Sequence, residues 1–129
     1  MKNPALAGFA PLAALSEHWQ VRSQTAGSLL AERLVRVIRR SGRIYVSWLG
    51  IWQLEGISLP HPDDYDHLRK PLLRPEEVAT RYGISQRTVL RWMSNGELPT
   101  IRLSPRILRV RESELDRLDD LQLARDDVA

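Results

Sequence analysis

The residues with chemistry to offer in this sequence are arginines. Between Pro71 and Arg111 stand Arg74, Arg81, Arg87, Arg91, Arg102, Arg106, Arg109 and Arg111, against only Glu76, Glu77 and Glu97. Every basic residue after Lys70 is arginine. A guanidinium presents a planar fork of donors that suits phosphate oxygens and the guanine edge better than a lysine ammonium does. The formal charge of the 129-residue chain, +3, conceals this stretch. An acidic end from Glu112 onward offsets it, and a second cluster lies earlier at Arg33, Arg36, Arg39, Arg40 and Arg43. Positive charge held on one face of a folded element suits a polyanionic partner. On a solvated face it means nothing, so the position of each arginine decides.

Other chemistries find little support. With no cysteine there is no disulfide framework, zinc finger or thiol nucleophile. His18, His61 and His67 lack the spacing of a metal-binding helix face. His61 and His67 stand near Asp63, Asp64 and Asp66, but in a Pro-rich stretch that fixes no frame. There is no Gly-rich phosphate loop and no Ser/His/Asp order, so the expectation is no enzyme, no cofactor and no metal. No apolar run is long enough for a membrane helix. The Ala-, Leu- and Pro-rich start has a single Lys2 and is broken by Pro4 and Pro11, unlike a signal peptide. A cytoplasmic, nucleoid-associated protein is expected.

The elements that must position these arginines are clearest from Pro71 onward. Pro75 suits the first position of a helix, with Glu76 and Glu77 in its first turn. Gly83 supplies a left-handed stop, and Ser85 is an N-cap for a second helix over about 86–95. Two short helices joined through a glycine turn make a helix-turn-helix. At 100° per residue, Val89, Trp92 and Met93 cluster on one side of the second helix, and Arg87, Arg91 and Ser94 lie opposite. Gln86, Arg87 and Thr88 fall in its first turn, the part of a recognition helix that enters a major groove. Asn95-Gly96 and Pro99 end it. Residues 100–103 and 107–111 alternate as a strand pair around Ser104-Pro105-Arg106. This hairpin is expected to cover the helical core with its apolar side. Arg102, Arg109 and Arg111 would then face outward with Arg106 at the tip, a basic wing. Leu115, Leu118 and Leu121 or Gln122 mark a closing helix, followed by an acidic tail over 124–129.

The first 70 residues are harder to read. Residues 1–15 look like a loose arm. Leu30, Leu34 and Ile38 recur at helical spacing within 28–40, and Ser41-Gly42 ends that stretch. Residues 43–57 fit a helix or a strand, and a helix is the reading taken, with Tyr45, Trp48 and Trp52 as core or self-association surface. Residues 58–70 read as a linker. No internal repeat is visible.

The stretch LLRPEEVATRYGISQRTVLRWMSNGELPTIRLSPRILRVRESELDRL, residues 72–118, resembles the small winged helix-turn-helix domain of the excisionase family, related to MerR-type and AlpA-like DNA-binding domains. The fold class implied is mainly α, a helix-turn-helix with a two-stranded wing and a closing helix. The resemblance implies double-stranded DNA contacts from Ser85, Gln86, Arg87, Thr88 and Arg91, and backbone or minor-groove contacts from Arg102, Arg106 and Arg109. Trp92 falls at a core position of the family. Arg74 departs from the usual Thr or Ser cap, and Ser-Pro-Arg replaces the usual glycine at the wing tip. The division expected is 1–57 as an arm and helical region, 58–70 as linker, 71–123 as the DNA-binding domain and 124–129 as tail. A sequence-specific DNA-binding protein of phage or mobile-element type follows, a transcriptional regulator or an excisionase. It is expected to be a homo-oligomer on DNA joined through 28–57, with an integrase or other protein partner. The other expectation is an assembly adaptor, such as a small-terminase-like packaging subunit.

Overall fold

Pro11 ends one element and opens the next. In the computed structural model, which describes residues 6–33, 35 and 37–128 (the backbone alone from Leu121 onward), Phe9–Pro11 is a strand, β1, running into helix α1, Leu12–Trp19. Gln20 stops α1 in the left-handed conformation, φ 53°, and Val21 N–H closes back onto the Ser16 carbonyl at 3.0 Å. Helix α2, Ser23–Glu32, follows at once and buries Ala26, Leu29 and Leu30. A hairpin of β2, Val37–Arg40, and β3, Arg43–Ser47, comes next, and Ser47 caps α3, Trp48–Leu54, by accepting the Gly50 N–H. The hairpin turn is Ser41-Gly42, with φ 51° and 75°. Two successive left-handed residues set the twist of a tight two-residue hairpin. β3 is the centre of a three-stranded antiparallel sheet ordered β1-β3-β2.

Three expectations are corrected here. The arm over 1–15 is strand and helix from Phe9 on, while Met1–Ala5 lie outside the described residues. The helix expected over 28–40 ends at Glu32, and Val37–Arg40 is a strand paired residue by residue with β3. Leu34 of the expected stripe, and Arg36 of the arginine cluster, lie outside the described residues. Pairing with the central strand of a sheet overrides a local 3.6-residue period. The segment 43–57 divides into β3 and α3, so both readings of it hold in part.

The stretch expected as a linker is packed. Pro62–Asp64 forms a 3-10 turn and Tyr65–Leu68 a one-turn helix, α4. Leu68 is buried, its carbonyl accepts the Trp52 indole N–H at 3.0 Å, and Tyr65 stacks on Trp52 at 5.1 Å. Arg69 lies against both rings and donates to the Leu6 and Ala7 carbonyls.

The second half holds α5, Pro75–Tyr82, and α6, Gln86–Ser94, then a hairpin of β4, Ile101–Ser104, and β5, Ile107–Arg109, then α7, Glu112–Val128. Helices make up about half of the described chain. Two apolar cores result. One gathers Leu15, Trp19, Ala26, Leu30, Val46, Ile51 and Trp52, and the other Val78, Val89, Met93, Leu98, Val110 and Leu115. The β4–β5 hairpin serves both. Leu108 and Val110 pack on the second core, whereas Ile101, Leu103 and Ile107 pack on the first.

A buried polar cluster ties the halves together. The Glu55 carboxylate is fully enclosed and accepts from His18 Nε2 at 2.7 Å, the Trp19 indole at 2.8 Å and Arg111 Nη2 at 2.6 Å. A buried carboxylate is tolerated when cations and donors saturate it in this way. The Leu72 N–H adds a bond to the His18 carbonyl at 2.7 Å.

Candidate nucleic-acid interface

The helix pair α5–α6 is built by local signals that its residue types dictate. Pro75 occupies the first helical position, and Glu77 turns back to accept the Arg74 N–H at 2.9 Å. Burial pushes the Glu77 carboxyl up, but bonds from the Arg74 N–H, Gln20 and the Arg74 guanidinium outweigh it and hold the group below its usual value. The departure at Arg74 is therefore compensated by Glu77. Gly83 takes φ 64° and ends α5, and the Ser85 hydroxyl caps α6 by accepting the Thr88 N–H at 3.1 Å. Val89 and Met93 are buried, and Trp92 is half-buried against the same core, as a packing residue should be.

With that side of α6 fixed, the other side faces solvent. Ser85, Gln86, Arg87 and Arg91 are exposed and Thr88 is half-buried, its hydroxyl 2.9 Å from that of Ser85. No acidic residue lies in the first turn. Leu90, 39% exposed, shares this outward side and was not singled out from the sequence. An apolar side chain on such a face suits contact with a thymine methyl group. Arg102 and Arg106 are exposed at the β4–β5 hairpin, and the Ser104 hydroxyl steadies the turn by accepting the Arg106 and Ile107 N–H groups.

Arg109 and Arg111 are not where the alternation put them. Arg109 is 9% exposed, with Nε donating to the Trp19 carbonyl at 2.8 Å and Nη2 to the Gln20 carbonyl at 2.9 Å. Burial pushes its guanidinium below the usual value, partly countered by Glu76. Arg111 is 7% exposed and bound to Glu55. Within 107–111 the alternation holds, with Leu108 and Val110 turned away from Arg109 and Arg111. But Arg102 pairs with Leu108 and Arg109 with Ile101, so the expected common outward side of Arg102 and Arg109 does not exist and Arg109 shares the side of Ile101. That side is covered by the first half of the chain instead of by water. Arg109 is therefore a structural clamp and leaves the candidate surface. Arg33 is likewise engaged, donating to the Leu103 carbonyl, while Arg39, Arg40 and Arg43 are exposed on the β2–β3 hairpin.

The first-half tryptophans are internal, while Tyr45 is half-buried. Trp48 and Trp52 are buried and stack at 5.6 Å, with His18 edge-on to Trp48 at 5.0 Å. The apolar side chains of 28–57 that were candidates for joining subunits lie mostly in the chain's own core. Among the described residues, no group of three or more His, Asp or Glu side chains is placed to hold a metal. No helix of the described residues is long and apolar enough to cross a membrane.

A family model described as a helix-turn-helix domain matches residues 72–118, less than half of the chain. This stretch is a helix-turn-helix domain, and the match suggests DNA binding. No curated protein and no solved structure matches the chain.

Proposed function

We propose that the chain is a sequence-specific double-stranded DNA-binding protein of phage or mobile-element type, cytoplasmic, and acting as a transcriptional regulator or an excisionase. The observation that carries this is the outward side of α6. Gln86, Arg87 and Arg91 stand exposed on a capped helix whose opposite side is locked into a core. Such a helix suits the major groove, with Arg87 and Arg91 reaching guanine edges. Arg102 and Arg106 on the adjoining hairpin, read as a winged helix-turn-helix wing, would take backbone phosphates and set register. The chemistry is recognition, and no acid–base or nucleophilic step is required of the chain. An integrase or other protein partner belongs to the excisionase version.

One helix-turn-helix contact buries a small interface and binds weakly alone. A second contact is needed, from another copy on a repeated site or from elsewhere in the same chain. Selection of bound duplexes from a random pool, followed by footprinting, tests the proposal. It should yield one consensus with Arg87 and Arg91 required for enrichment. A pool that stays random after selection would overturn sequence-specific binding.

The second reading is an assembly adaptor of small-terminase type. What favours it is a surface cleft of about 550 Å³ lined by Phe9, Ile38, Arg40 and Tyr45, away from α6 in sequence and carrying half-exposed apolar groups. A protein partner seated there would be lost on Phe9→Asp with DNA binding retained, and unchanged partner binding would remove this reading.

A further inference from the structure

The first half of the chain repeats the order of elements of the second. Each half runs helix, turn, helix, hairpin, helix: α1, α2, β2–β3 and α3, then α5, α6, β4–β5 and α7. The registers coincide. Adding 63 to the bounds of α1, Leu12–Trp19, gives those of α5, Pro75–Tyr82. The same step takes the left-handed Gln20 to the left-handed Gly83, and the start of α2, Ser23, to the start of α6, Gln86. After α2 the step becomes 64, which takes Val37–Arg40 to Ile101–Ser104 and Trp48 to Glu112.

The innermost helix positions and the strand pairing follow the same correspondence. Leu15 and Val78 are both 0% exposed, as are Ala26 and Val89, and Ile51 and Leu115. The bridge that fastens each first helix to its hairpin also recurs, as Ala10 opposite Val46 and as Leu73 opposite Val110. The sequence hides this because only the innermost matched positions keep their apolar character, as Leu15 with Val78, Ala26 with Val89 and Val46 with Val110, while most others differ in polarity, as Ile38 with Arg102 and Trp52 with Asp116.

We propose that the chain is a tandem of two helix-turn-helix units, and that α2 meets the same DNA duplex as α6. This rests on the DNA-binding reading of α6. At the positions of Arg87 and Arg91, α2 carries Gln24 and Ser28, both exposed. With Arg22 and Ser23 they make an outward side free of acidic residues until Glu32. Serine and glutamine hydroxyl and amide groups serve both phosphate and base-edge contacts. The β2–β3 hairpin presents Arg39, Arg40 and Arg43 around its turn, as β4–β5 presents Arg102 and Arg106. At the junction of the units Arg22 and Thr25 of the first share a cleft of about 650 Å³ with Arg74, Ile107 and the already engaged Arg109 of the second. Arg74 is paired with Glu76 and Glu77, so the exposed Arg22 is the cation this edge offers. A duplex held by β4–β5 meets the first turn of α2 along that edge. Two contacts within one chain supply the affinity that one such module lacks.

The test uses the full chain on its selected duplex, with hydroxyl-radical footprints, dissociation constants and native mass. One wild-type chain should protect two successive tracts. Gln24→Glu with Ser28→Glu should erase one tract and weaken binding about tenfold or more, with the α6 tract kept. Arg39→Gln, Arg40→Gln and Arg43→Gln together should lower the salt slope by about two to three. Ser28→Arg should tighten binding, a gain that no misfolded variant can give. An unchanged footprint and affinity in the Glu variant, or no gain with Ser28→Arg, overturns the tandem while leaving α6 binding intact. A wild-type chain that binds no duplex overturns both readings.

Discussion

The two halves of this chain reach the same arrangement of elements with different materials. The second half marks its turns with residues chosen for the backbone, Pro75, Gly83 and Ser85, and packs a small core of Val78, Val89, Met93 and Val110. The first half bends at Gln20, places Arg22 at the N-cap of α2 without a side-chain cap, and relies on Trp19, Trp48 and Trp52. One half states its structure locally, and the other states it through packing. The difference teaches that local punctuation and tertiary contact can each specify a helix-turn-helix, and that only the first is visible along a sequence.

The comparison is broken most severely at Glu55, where the halves meet. Glu55→Ala should cost about 3–5 kcal/mol of stability, since it leaves Arg111 buried without its counter-charge and the His18 and Trp19 ring nitrogens without their acceptor. Urea unfolding measures it, and a loss below about 1 kcal/mol would show that the halves are not coupled there. Arg109→Ala is next. It leaves the Trp19 and Gln20 carbonyls without their donor, at roughly 1–3 kcal/mol of stability. At saturating fold its effect on the salt slope of DNA binding should be nil, which separates it from the exposed arginines.

Arg87→Ala or Arg91→Ala should reverse that pattern. Stability should hold, and binding to the selected site should weaken by about 1–3 kcal/mol with relaxed preference at one base. Arg106→Ala should weaken all duplexes alike and reduce the salt slope by about one.

The smallest effect lies at the α5–α7 contact. Asp119 accepts from the Tyr82 hydroxyl at 2.7 Å and from Arg81, and these hold its carboxyl below the usual value. Its contribution is complete above the ordinary carboxylate range and is lost as pH falls through the lowered folded value. Burial, then the bond to Asp119, pushes the Tyr82 hydroxyl up to about 12. That contribution is present below the ordinary tyrosine value of about 10 and is lost as pH rises toward the folded one. Tyr82→Phe should flatten both limbs of the melting temperature against pH by a small amount.

How far the sequence could be read follows from particular residues. Gly83 and Ser85 located α5 and α6 to within a residue, and the face arithmetic put Arg87 and Arg91 outside. Periodicity failed at Arg109, because alternation within each strand does not reveal that Arg109 pairs with Ile101 while Arg102 pairs with Leu108, or that the first half of the chain covers the side of Arg109. It failed again over 28–40, where Leu30 and Ile38 kept helical spacing although one belongs to a helix and the other to a strand. The strap over 58–70 looked like a linker because its partners, Trp52 and the Leu6 and Ala7 carbonyls, lie far away along the chain.

The central claim is that the exposed arginines meet DNA phosphates and bases. The most direct measurement is the dissociation constant of the full chain for its selected duplex as salt rises from about 50 to 200 mM. Four or five phosphate contacts predict a loss of affinity on the order of a hundredfold or more, linear on logarithmic axes. An affinity that barely moves across that range would contradict the account.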